Sequence, residues 1–173
     1  MTTRTDYTDS EWELLTSMPR LAAFGAMAVE ESGPVASTRE LWASMMELTQ
    51  AARTQHPNNA LIQEIMRGYS QPADDDELSI MGWKPDSGEP SGNAIVAQTL
   101  ETAPRVREVL VSQATPDEAA EYTEWVIGIA RAACGAVRSG LFGLVGTQMT
   151  TAEDQYLNNL ATALGASYLA PDT

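Results

Sequence analysis

Apolar residues recur at every third or fourth position through much of the chain. Leu41, Met45, Leu48 and Ala52 form one such stripe, Tyr122, Trp125, Ile129 and Ala133 a second, and Leu157, Leu160 and Leu164 a third. Each has the spacing of one face of an α-helix. No stretch alternates convincingly with the period of two that marks a half-buried strand. The pattern therefore predicts an all-α protein.

Helix starts are marked by a second regularity. A Ser or Thr followed three residues later by Glu lets each side chain satisfy a backbone amide of the other residue at a helix N-terminus. Thr8 with Glu11, Ser37 with Glu40, Thr115 with Glu118 and Thr150 with Glu153 have this form, and Pro116 occupies the favoured first helical position of the third. Two more helices are predicted over about 57 to 69, opening with Pro57, and about 94 to 113. Together these features predict a compact bundle of about six helices. The segment QPADDDELSIMGWKPDSGEPSGN, residues 71–93, is acidic and rich in Pro and Gly and reads as a linker. One helical domain then spans 1–173, with a first half at 7–70, a second half at 94–168, and loose termini at 1–6 and 169–173.

The halves share a motif. RLAAFGAMAVEESG (20–33) and RAACGAVRSG (131–140) have the same run of Ala and Gly, a Val, and a closing Ser-Gly, each followed by a loop and a capped helix. This suggests two related three-helix halves. Small residues four apart, Ala22 with Ala26 and Gly128 with Ala132, allow close helix approach, so these two helices are expected to cross at the bundle centre. Pro19 falls inside the first, where it removes a backbone bond and bends the helix.

Composition narrows the functional classes. Of 173 residues, 43% are apolar and 20% charged, values of a globular chain. The net charge of −14 repels phosphate backbones and anionic lipid, which argues against nucleic acid as a partner. The single cysteine, Cys134, cannot form an internal disulfide and suits a reducing compartment. The N-terminus MTTRTDYTDS lacks an apolar signal core, and the most apolar helix, Trp125 to Val137, carries Arg131 and is short of the ~20 residues a membrane span needs. No transmembrane segment and a cytoplasmic location are expected.

Two sequence features carry candidate binding chemistry. SGLFGLVG, residues 139–146, places Leu141, Phe142, Leu144 and Val145 in a glycine-broken loop that continues to Met149. Folded back, these side chains plug one end of the bundle; held outside, they form a patch that docks another protein. A small molecule or lipid entering beneath the 139–149 loop is the alternative. The second feature is acidic: Glu30 and Glu31 close the first helix at the pole where negative charge is disfavoured, with Glu40 one turn into the next helix. Their carboxylates suit a divalent cation such as calcium or magnesium, although solvation, or neutralisation by Arg39, accounts for them equally well. The run Asp74, Asp75, Asp76 and Glu77 reads as hydrated linker.

Catalytic patterns are incomplete. His56 is the only histidine and stands at a helix approach; with Cys134 alone it assembles no zinc site. SGLFGLVG lacks the lysine and hydroxyl of a phosphate loop. Glu121 with Glu124, or Glu153 with Asp154, would act as acid and base only inside a pocket. Trp12, Trp42 and Trp125 are expected to anchor the core, and Trp83 in the linker either packs down or faces a partner. These features describe a non-enzymatic binding protein without a cofactor, most simply one that binds another protein.

The helix, glycine-bearing loop and capped helix of EYTEWVIGIARAACGAVRSGLFGLVGTQMTTAEDQYLNNLATALG, echoed by TDSEWELLTSMPRLAAFGAMAVEESG, resembles the TerB-like helical proteins associated with tellurite resistance and bacterial stress responses. The resemblance covers about half the chain and rests on pattern rather than on a catalytic motif. It implies an all-helical bundle of two related halves, an acidic surface suited to divalent ions, and a non-enzymatic role near a stress-response assembly. The second loop departs from that pattern, since its acidic residues are limited to Glu153 and Asp154.

Overall fold

A computed structural model of the protein describes residues 2–29, 54–69, 91–140 and 149–167, with residues 135–140 described through their backbone alone. Within them the fold is all-helical. A 3-10 turn at Arg4–Asp6 precedes α1 (Asp9–Ala28), α2 (Ala60–Tyr69), α3 (Gly92–Gln113), α4 (Pro116–Gly140) and α5 (Thr151–Leu164), and the five helices pack against one another. The helix expected after Ser37, Trp42, Trp83 and most of the 71–93 linker lie outside the described residues.

Three of the four predicted capping boxes form. The amides of Thr8, Thr115 and Thr150 donate to the carboxylates of Glu11 (2.8 Å), Glu118 (3.3 Å) and Glu153 (2.8 Å), and each glutamate amide bonds back to the threonine hydroxyl; the fourth, at Ser37, lies outside the described residues. Helix α2 starts later than its proline suggests. Pro57 sits in a turn, and Asn59 caps the helix by accepting the Ile62 amide at 3.0 Å. A side-chain acceptor satisfies an otherwise orphaned amide, which a proline at the first position cannot do. Helix α3 starts two residues early for the same reason: Ser91 Oγ accepts the Ala94 amide at 3.3 Å. Helix α5 stops at Gly165, whose φ of 85° closes the end left-handed while the Ala166 amide reaches back to Ala161 at 2.8 Å.

Helix α1 is the axis of the bundle. Every residue from Ser17 to Ala26 is buried, and a helix buried all round is one enclosed by others. The neighbouring helices attach through hydroxyl groups that donate to α1 carbonyls. Tyr69 of α2 bonds Thr16, Tyr122 of α4 bonds Leu15 (2.7 Å), Tyr156 of α5 bonds Ala22 (2.9 Å), and Thr99 of α3 shares its hydroxyl hydrogen between Leu21 (3.0 Å) and the Ile95 carbonyl of its own helix (2.8 Å).

The expected crossing of small residues is half right. Helices α1 and α4 do pack together, and Ala22 and Ala26 are buried. Gly128, however, is exposed on α4, and a Cβ there would meet nothing within 4 Å. The close approach is made by Gly25 instead, against Tyr156 and Thr99. The small face of α1 thus serves α3 and α5, because those helices carry the hydroxyls that must reach its backbone.

Pro19 and Tyr122 form a matched pair. A proline lacks an amide hydrogen, so the Leu15 carbonyl four residues earlier loses its helical partner in the interior. Tyr122 Oη, itself buried, supplies the missing donor. Tyr122→Phe should therefore lower the unfolding free energy by about 1–3 kcal/mol, the cost of a buried acceptor left unsatisfied. Denaturant melts of the single and double variants check the coupling: in a Pro19→Ala background, where residue 19 again donates to Leu15, the Tyr122→Phe penalty should shrink. An equal penalty in both backgrounds would refute the pairing.

Candidate functional site at the α1–α3–α4–α5 helix ends

Pairs of contacts fix the helix directions: α3 meets α1 through Gln113 with Glu11 and through Thr99 with Leu21, so it runs antiparallel to α1, and α5 runs along α3 in the same direction, with Tyr156 beside Thr99 and Gly165 under Arg107. Tyr156 meets Ala22 five residues after α5 begins, Thr99 meets Leu21 seven residues after α3 begins, and Ala28 ends α1. At a rise of ~1.5 Å per residue, the α1 C-terminus, the α3 N-terminus and the α5 N-terminus reach about the same height, ~8–10 Å beyond those contacts. Helix α4 runs alongside α1. Its start is held at the opposite end, where Glu118 accepts from Thr2 (2.6 Å), and Tyr122 meets Leu15. Its last residue, Gly140, therefore also lies toward the first end. Two carbonyl poles, from α1 and α4, and two amide poles, from α3 and α5, gather there.

Both sequence-predicted clusters attach to this end. Glu30 and Glu31 follow Val29 directly, and Leu141, Phe142, Leu144 and Val145 join Gly140 to Met149. Those six residues and Glu40 lie outside the described residues. Met149 is described: it is half-buried and packs against the core, so the C-terminal end of the apolar stretch is anchored on the bundle. Thr150 and Glu153 follow it. Glu153 is buried, with its carboxylate on the Thr150 amide at the positive pole of α5.

The carboxylate pairs considered for acid–base work are placed differently. Glu121 accepts Asn59 Nδ2 at 2.9 Å, tying α4 to the α2 cap, whereas Glu124 is exposed. Among the described residues no group of three or more His, Cys, Asp or Glu side chains is placed to hold a metal ion. His56 is half-buried in the turn before α2, where its carbonyl accepts the Asn59 amide (3.3 Å) and Gln63 Nε2 (3.1 Å). Cys134 is buried in α4. Trp125 is buried, its ring 5.7 Å from that of Tyr122; Trp12 is half-buried between Tyr7 and the Arg4 guanidinium. No helix among the described residues is long and apolar enough to cross a membrane.

Titration follows burial. Burial pushes the Tyr69 phenol up to about 12, against the opposing pull of the Arg20 guanidinium, which lies 4.2 Å from the ring centre. Burial, then the carboxylates of Glu118, Asp6 and Glu11, raises Tyr7 to about 12. Tyr122 and Tyr156 are raised by burial as well. Burial works to raise Glu118, but bonds from Thr2 and Thr115 outweigh it and hold the carboxyl below its usual range. The hydroxyl pins were missed by the sequence reading, although Pro19 signalled that one α1 carbonyl needed an outside donor.

No protein-family model, curated protein or solved structure matches the chain.

Proposed function

We propose that the protein is a non-enzymatic interaction module that binds another protein through the bundle end where α1 and α4 finish and α3 and α5 begin. The observation that supports this reading is the attachment of both singled-out segments at one end. The apolar run Leu141, Phe142, Leu144 and Val145 and the acidic pair Glu30–Glu31 leave the same set of helix ends. An apolar patch rimmed by charge is the usual anatomy of a protein-binding surface. A divalent cation on Glu30, Glu31 and Glu40 is an accessory to that role, in keeping with the TerB-like resemblance and its stress-response setting.

Amide exchange across residues 139–149 of the isolated protein tests the proposal, together with Phe142→Ala. Rapid exchange and an unchanged melting curve are expected, with loss of the partner that wild type retains. Slow exchange with a stability loss of about 3–5 kcal/mol would make the run a plug of the core and overturn the reading. Calorimetric titration with calcium or magnesium decides the accessory site separately; absence of heat removes it.

A further inference from the structure

Residues 2–7 are tied to the bundle by different chemistry from the helices. Helices α2 to α5 hold α1 through neutral hydroxyl groups that donate to its carbonyls. The segment before α1 is held through carboxylates. Thr2 donates its hydroxyl hydrogen to Glu118 of α4 at 2.6 Å, and its amide bonds the same carboxylate. Arg4 pairs with Asp9 of α1 and lies 5.4 Å from the centre of the Trp12 ring. Within the segment, the Thr3 amide donates to Asp6 at 2.7 Å, and Arg4 donates to the Tyr7 carbonyl at 2.9 Å, closing the 3-10 turn locally. Between these ties sits Tyr7, only 5% exposed. Its phenol differs from those of Tyr69, Tyr122 and Tyr156, each of which bonds an α1 carbonyl. Tyr7 Oη is buried with no hydrogen-bond partner among the described residues. A buried hydroxyl left unsatisfied regains its hydrogen bonds on reaching water, so this ring is the most easily released of the four.

We propose that residues 2–7 form a clasp that acid opens about Thr8 while the helices stay folded, uncovering Tyr7 and Trp12 at the bundle end where α1 and α4 begin. Glu118 is the latch. Burial works to raise its carboxyl, but the Thr2 and Thr115 bonds outweigh burial and hold the folded value below the ordinary 4.5. The closed clasp therefore has the full benefit of that charge above pH 4.5 and loses it as pH falls through the lower folded value. Asp6, held low by the Thr3 amide and hydroxyl, loosens the turn inside the segment in the same direction. Acid also dissolves the Arg4–Asp9 pair, since a neutral carboxyl offers Arg4 no charge. The pins between the helices are untouched, because phenols and the Thr99 hydroxyl stay protonated in acid. The other ionisable groups about the clasp are Glu11 on α1, Glu121 a turn farther along α4, and His56 before α2. Facing them are neutral amides: Asn59 of α2 bonds the Glu118 carbonyl and the Glu121 carboxylate, and Gln113 of α3 bonds Glu11. The clasp lies at the opposite end of the bundle from the proposed protein-binding surface and does not depend on it.

NMR of the full chain, titrated from neutral pH into acid, tests it, with Tyr7 and Trp12 reporting the clasp and Tyr122 the bundle. Below pH 4.5 the Tyr7 and Trp12 ring signals should move to their unfolded positions while Tyr122 keeps its native ones. Thr2→Val removes the hydroxyl tie and leaves the Thr115–Glu118 cap of α4 intact. Opening should become roughly tenfold easier, which raises the midpoint by about half to one pH unit. Glu118→Gln keeps an acceptor without a titrating charge, so the acid response of Tyr7 should flatten. Loss of the Tyr7 and Tyr122 signals at one common pH overturns the proposal, as does a Tyr7 ring that stays seated in acid or is already free at neutral pH. A midpoint unmoved by Thr2→Val rules out Glu118 as the latch.

Discussion

Raising the pH from 10 toward 12 should unfold the bundle in one steep transition. Tyr69, Tyr122 and Tyr156 are buried, and each donates its hydroxyl hydrogen to a carbonyl of α1. Ionising any of them removes that donor and sets an anion against the carbonyl oxygen it had bonded. The folded pKa values accordingly lie above the ordinary 10.0, Tyr69 at about 12 and Tyr122 and Tyr156 pushed up by burial as well. A pKa raised by folding means that the native state holds its proton more tightly than the unfolded chain. The stabilisation is complete below pH 10 and declines as pH rises through the folded values. Three such phenols make stability fall by about 4 kcal/mol per pH unit in that window, against a net stability of about 5–15 kcal/mol for a domain. Circular dichroism and tyrosinate absorbance, followed together, should change at the same pH. Tyrosinate appearing gradually while the helices remain intact would show that the phenols are not held as described. Phenylalanine at Tyr69, Tyr122 and Tyr156 removes the titration along with the pins, so the steep alkaline limb should flatten in those variants even though they start less stable.

The same pins explain what was legible in the sequence. Helix positions and most starts were readable because capping is local: Thr8 and Glu11, three residues apart, decide between themselves where α1 begins. The α2 start was misplaced because Pro57 and Asn59 both signal a helix opening and sequence spacing does not rank them; the asparagine prevails by accepting an amide. Central placement of α1 was only partly visible. Its run of Ala and Gly announced close packing, but which helices approach depends on hydroxyls more than 70 residues away, at Thr99 and Tyr156. No periodicity encodes that pairing. Gly128 showed the reverse failure, since its spacing from Ala132 matched a packing motif while its side of α4 faces solvent. For the candidate site, the sequence singled out which segments are unusual, and helix direction added that they attach at one end.

Gly25→Ala should destabilise the protein by about 2–4 kcal/mol, against the usual effect of that substitution. In a helix interior, alanine is favoured over glycine by about 1 kcal/mol. At Gly25 the added methyl would stand 2.3 Å from Tyr156 Oη, 2.8 Å from its Cζ and 3.1 Å from Thr99 Oγ1. The phenol cannot swing clear cheaply, because Tyr156 is buried and bonded to the Ala22 carbonyl. Displacement therefore combines overpacking, about 1–3 kcal/mol, with the strain or loss of a buried hydrogen bond, about 1–3 kcal/mol; together these outweigh the gain in propensity. Gly128→Ala provides the internal comparison. That glycine is exposed within α4 with open space around its Cβ position, so the propensity gain stands alone and the variant should be more stable by about 1 kcal/mol. Urea melts of both variants resolve the opposite signs. If both substitutions stabilised, the tight seating of Tyr156 on α1 would be wrong. If both destabilised, Gly128 would have a packing neighbour beyond those that surround α4 here. The combination Gly25→Ala with Tyr156→Phe separates the two terms, since removing the hydroxyl deletes the 2.3 Å contact but leaves the ring at 2.8 Å. A partial recovery relative to Gly25→Ala alone is the expected outcome, because the shorter ring still has to shift to admit the methyl.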